Sequence, residues 1–61
     1  MDKNLIEIYV EIKRESELAV LCTDGTNDFW LPKSQIEIKY IKDSDAEITL
    51  PEWLAVDKEI I

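Results

Sequence analysis

Between Asn4 and Lys13 the apolar residues recur at every second position. Ile6, Ile8, Val10 and Ile12 share one face, while Leu5, Glu7, Tyr9, Glu11 and Lys13 share the other. A period of two is that of a strand with one buried face. Leu5, Ile8, Tyr9 and Ile12 would also fit one face of a helix, but β-branched residues suit a pleat better. Such a strand needs others beside it, because an isolated strand or hairpin is marginal in water.

The rest of the chain supplies them. Arg14-Glu15-Ser16-Glu17 reads as a polar turn and Leu18 to Thr23 as a second, mainly apolar strand. Asp24-Gly25-Thr26-Asn27-Asp28 is a hairpin loop, since Asp and Gly tolerate positive φ. Phe29-Trp30-Leu31 forms a short third strand that Pro32 ends, because proline cannot donate to a ladder. Lys33-Ser34-Gln35 turns the chain. Ile36 to Lys42 alternates again, with Ile36, Ile38 and Tyr40 on one face. Asp43-Ser44-Asp45 is a second acidic turn, and Ala46 to Thr49 a last short strand.

Then the period changes. Thr49-Leu50-Pro51-Glu52 matches a capping box, with Thr49 as N-cap and Glu52 at N3. Ile48 and Trp53 fall where a hydrophobic staple would place them, and Trp53, Val56 and Ile60 continue one apolar face. The expectation is a helix over Leu50 to Glu59 with Trp53 in the core. The fold class is α+β and mainly β. It is either a small, partly open SH3-like antiparallel barrel or a curled sheet of four or five strands, with a short C-terminal helix.

With 61 residues, this is one small domain. A chain of this length buries only roughly 60% of the surface that it exposes when unfolded. The absence of histidine removes catalytic triads and imidazole metal sites. Cys22 is the only cysteine, so an internal disulfide and a thiolate zinc cage are excluded. Between Leu21 and Thr23 it reads as a buried, inert thiol. The loops Asp24–Asp28 and Asp43–Glu47 lack the glycine and glutamate spacing of calcium loops, so their acids read as solvated turn residues. Paired carboxylates need a pocket to raise one pKa, and so small a domain has little volume for one. The reading is therefore non-enzymatic, with no cofactor. No apolar run could span a bilayer, and Met1-Asp2-Lys3-Asn4 lacks the basic start of an export signal, so a cytoplasmic protein is expected.

Charge ranks the partners. Fourteen acids against seven bases give a net charge of −7. Binding nucleic acid depends on Lys and Arg, and here the bases are scattered among carboxylates. A basic protein surface is the easier partner. One of the neighbours Phe29 and Trp30 must face outwards, and an exposed aromatic is a candidate interface anchor. The candidate partner-binding set is Tyr9, Asp24, Asp28, Phe29, Trp30, Tyr40, Asp43, Asp45 and Glu47. The first strand, taken to lie near a sheet edge, offers a route to a homodimer. A second reading sets Trp30, Lys33, Tyr40 and Lys42 as a weak stacking platform for single-stranded nucleic acid. A third is a subunit of a larger assembly.

Two segments carry a family likeness. Phe29-Trp30-Leu31-Pro32-Lys33-Ser34-Gln35-Ile36 and Thr49-Leu50-Pro51-Glu52-Trp53-Leu54-Ala55 resemble the W(I/L)PKSQI and (L/I)PEWLA segments of a group of small phage and prophage proteins. The likeness covers Leu18 to Lys58. The N-terminal strand here is longer than in that group, and Glu59 stands where the group carries glycine after lysine. The resemblance implies a phage-encoded accessory protein, in a group whose members look like neighbours of recombination and single-strand-binding functions. By size and charge it also resembles, as a class, inhibitors of bacterial defence, anti-CRISPR proteins included.

Overall fold

Alternation governs the longest element. In the computed structural model, which describes residues 4–61, β1 runs Leu5–Glu15 and turns Val10 inwards with Ile6, Ile8 and Ile12 partly covered beside it. Met1 to Lys3, read above for an export signal, lie outside the described residues. β2 (Ala19–Thr23), β3 (Asp28–Pro32), β4 (Glu37–Lys42) and β5 (Asp45–Pro51) complete one antiparallel sheet in the order β3-β2-β1-β5-β4. The sheet is open: β3 and β4 are its outer strands and do not pair. Of the two architectures expected, the curled sheet is the one found.

β1 is therefore the middle strand, which corrects its expected place near a sheet edge. It divides its partners along its length. Its first half pairs with β5, from Leu5↔Pro51 to Glu11↔Asp45, and its second half with β2, from Glu11↔Thr23 to Glu15↔Val20. A bulge between Ile12 and Arg14 bends it. The bend brings Glu15 to β4, although β5 lies between the two strands. The Tyr40 hydroxyl donates to Glu15 Oε1 at 2.9 Å, and Lys33 Nζ meets Glu15 Oε2 at 2.6 Å. Lys33 lies in the single 3-10 turn (Lys33–Gln35) that carries the chain from β3 to β4. Glu15 thus ties the two wings of the sheet across its inner side.

That inner side is the core. Val20, Cys22, Leu31, Ile48 and Leu50 are fully buried, with Phe29 beside them and Leu54 and Ala55 of the helix α1 (Glu52–Asp57) covering them. Among the described residues no polar or charged side chain is buried. Cys22 is buried as expected, and burial pushes its thiol up to about 11.

Helix α1 is shorter than expected, and its start differs. Thr49 and Leu50 belong to β5, whose pairing with Ile6 and Glu7 outcompetes the local capping signal. The N-cap is Pro51, with no side-chain cap. Glu52 instead joins the helix to β1: its amide donates to the Asn4 carbonyl at 2.9 Å, and its carboxylate accepts from the Asn4 side-chain amide at 3.1 Å. Trp53, expected in the core, is 48% exposed, and Leu54 and Ala55 are the helix residues that turn inwards onto the sheet. At the far end the Ile60 amide donates to the Ala55 carbonyl and the Glu59 amide to the Val56 carbonyl. Glu59 has φ of 60°. This is a Schellman stop with a non-glycine residue in the left-handed position.

Candidate protein-binding surface

The outer face of the sheet carries the odd-numbered side chains of β1 and their neighbours. At its centre a cavity of about 450 Å³ is lined by Tyr9, Val10, Glu11, Thr23, Asp24, Gly25, Ile41, Asp45 and Ala46. Its place follows from the division of β1. β2 ends at Thr23 and β5 begins at Asp45, both opposite Glu11, so two turns flank that position.

The first turn is shaped by its own side chains. Asp24 Oδ1 accepts from the amides of Thr26 and Asn27, both at 2.8 Å, and Thr23 Oγ1 accepts from the Gly25 amide at 3.1 Å. Those bonds hold the Asp24 carboxyl below its ordinary range, the Asn27 amide most. Gly25 adopts φ of 97°. In the second turn Asp43 takes φ of 51°, and the Ser44 carbonyl accepts from the Ile12 amide at 2.8 Å. A bulge between Tyr40 and Lys42 leaves Ile41 exposed on the outer side.

The walls are chemically mixed. Tyr9 (71% exposed) and Ile41 supply apolar surface. Glu11, Asp24 and Asp45 supply carboxylates. Glu11 and Asp45 are directly opposed across the β1–β5 ladder, an arrangement that destabilises a sheet when nothing compensates it. Among the described residues the ion pairs are Lys13–Asp28 and Lys33–Glu15, and neither includes Glu11 or Asp45, although Lys42 of β4 stands opposite Asp45 on its other side. Glu47 stands opposite Tyr9, and its charge and hydrogen bond raise the Tyr9 phenol above its ordinary pKa. A cation entering here would meet an aromatic ring and several carboxylates together.

The expected partner-binding residues are thus only partly gathered. Tyr9, Asp24 and Asp45 line the cavity, with Glu47 next to Tyr9 and Asp43 in the adjoining turn. Asp28 closes the neighbouring hairpin. The Thr23 hydroxyl, shared with the Asn27 carbonyl, and then Lys13 hold its carboxyl below the usual range. Of the aromatic pair, Phe29 is buried at 7% and Trp30 exposed at 45%, so Phe29 leaves the candidate surface. Tyr40 is half-exposed on β4, but its hydroxyl is engaged by Glu15 on the inner side, away from the cavity. Trp30 and Tyr40 lie on opposite outer strands, and Lys33 is tied to Glu15. The stacking set is therefore only partly gathered: Glu15 brings Lys33 and Tyr40 together, and Trp30 stands on the other outer strand.

The sequence reasoning missed Glu11 and Ile41. Ile41 carried a signal, as an apolar residue on the polar side of an alternating strand. Glu11 carried none, since only the strand order puts it between two turns. Among the described residues no three of the histidine, cysteine, aspartate or glutamate side chains gather as metal ligands, and no helix is long and apolar enough to cross a membrane. Comparison with protein-family models, with curated proteins and with solved structures finds no match to this chain.

Proposed function

We propose that this is a non-enzymatic protein-binding module whose outer face takes the basic surface of another protein. The observation that carries the reading is the cavity itself: an aromatic and aliphatic wall with the opposed carboxylates of Glu11 and Asp45 at its rim. An arginine or lysine side chain fits that chemistry, with its stem on Tyr9 and Ile41 and its charge among the acids. The net charge of −7 adds long-range attraction to a basic partner and repulsion from phosphate backbones.

The resemblance to small phage and prophage proteins extends the proposal. A basic surface that a phage protein gains by covering is the nucleic-acid channel of a bacterial defence or nucleic-acid-handling complex. The module then acts as an inhibitor in the bacterial cytoplasm.

Capture from bacterial lysate with tagged protein, with and without nuclease, tests this. A protein complex retained in both samples, and lost when Glu11 and Asp45 are both changed to lysine, supports the reading. Retention that disappears with nuclease contradicts it and marks a nucleic-acid-bridged role.

A further inference from the structure

The hydrogen bonds at the two ends of the β1–β5 ladder fix which way each peptide group of β1 points. The Ile12 amide donates to the Ser44 carbonyl, and the Asn4 carbonyl accepts from the Glu52 amide. Both continue the β1–β5 register, so even-numbered residues of β1 turn their peptide groups towards β5. Odd-numbered residues turn theirs to the opposite flank. Glu11 spends its pair on Thr23 of β2. Leu5, Glu7 and Tyr9 come after β2 has ended. In the β1–β2 register the residue opposite Tyr9 would be Gly25, yet the chain has turned away there, and Tyr9 and Gly25 both line the cavity. Among the described residues β2 pairs with β1 only from Glu11 onwards, so no strand pairs with Leu5, Glu7 or Tyr9 on this flank.

A half-strand with open peptide groups, running straight into an acidic cavity, is a docking edge. We propose that it receives an extended, basic segment of a partner protein, added as a strand in the lane that β2 vacates, with a lysine or arginine side chain entering the cavity. The basic partner inferred above is then held by its backbone as well as by its charge, and the added strand rests on that partner. Charge complementarity selects the occupant. Glu7 sits in the middle of the edge, and Glu11 and Asp24 stand at its end. A second copy of this chain is disfavoured, because two-fold antiparallel pairing of Leu5 to Tyr9 would set Glu7 against Glu7. The other open edges are less suited: β3 is short and ends at Pro32, which has no amide to donate, and the outward peptide groups of β4, those of Ile38 and Tyr40, flank Lys39, whose charge opposes a basic segment.

The test is amide-resolved NMR of the labelled protein with a short synthetic peptide of alternating lysine and valine. The expected result is that the amides of Leu5, Glu7 and Tyr9 shift and exchange roughly tenfold more slowly with peptide bound, while those of Ile6 and Ile8, already bonded to β5, keep their rates. The same peptide with methylated backbone amides loses this protection. Binding that shifts Glu11, Asp24 and Asp45 without protecting the odd-numbered amides overturns the added strand and leaves the basic-partner reading standing. Protection at Ile38 and Tyr40 instead, or concentration-dependent protection of Leu5, Glu7 and Tyr9 without peptide, also overturns it, the latter by showing a second copy in the lane. Equal binding of an alternating glutamate and valine peptide, or no response at millimolar peptide, overturns both readings.

Discussion

Two residues with positive φ make opposite predictions about glycine. Gly25 sits at φ of 97° with nothing within 4 Å of an added Cβ, so only backbone strain opposes a side chain there. Gly25→Ala is expected to cost about 1 kcal/mol. Glu59 holds the left-handed C′ position of α1 at φ of 60°, where glycine is the unstrained choice. Glu59→Gly is expected to stabilise by about 1 kcal/mol, and urea unfolding of both variants reads the signs. Cys22 gives a third outcome. It is buried with its thiol pushed up to about 11, so a thiol reagent reacts only at the rate of unfolding. Reaction within mixing time in native buffer would contradict its placement. Period-two alternation made much of this scale legible. It required one of Phe29 and Trp30 to be buried, and it placed Ile6, Ile8, Val10 and Ile12 on one face. It could not say which of the pair turns inwards, because that depends on the facing strand.

Among the elements, the tie made by Glu15 is the least local. The Lys33 ammonium first, and the Tyr40 hydroxyl after it, hold the Glu15 carboxyl below its ordinary range. Asp24 and Asp28 are lowered too. A depressed carboxylate binds protons more weakly in the folded state than in the unfolded state. The stability these groups contribute is therefore present above about pH 4, and is lost as pH falls through their folded values. Thermal midpoints should fall on acidification below about pH 4, and Glu15→Gln should flatten that fall. An unchanged acid profile in the variant would remove the tie as a source of stability. None of it was readable beforehand, since Glu15 was a turn residue until the bulge carried β1 on to it. The helix start failed for a related reason. The Thr49 capping box is a real local preference, but seven paired positions with β1 hold Thr49 and Leu50 in a strand.

At the scale of the molecule the mainly β composition and the terminal helix were legible, because turn chemistry and alternation punctuate the chain, while barrel and curled sheet were left as alternatives. Strand order was not. The step from β3 at one outer strand to β4 at the other, and the place of β1 in the middle, depend on long-range pairing that no short segment encodes. The cavity inherits that limit, since it exists only where the ends of two partners meet on β1. A small core also leaves little reserve. Leu31 and Ile48 are fully buried, and truncating either to alanine costs about 2–5 kcal/mol, as much as a domain of this size holds. Leu31→Ala should be largely unfolded by circular dichroism, whereas Leu18→Ala, on an exposed residue, should unfold like the parent.

The proposed function rests on the opposed carboxylates of Glu11 and Asp45 drawing a basic protein surface to the cavity. Its most direct test is the association rate of the captured partner, measured across salt concentrations for the parent and for the variant with Glu11→Lys and Asp45→Lys. The parent is expected to associate fast and to slow steeply as salt rises, and a folded variant to associate more slowly and nearly independently of salt. Equal rates and equal salt dependence for the two proteins would contradict it.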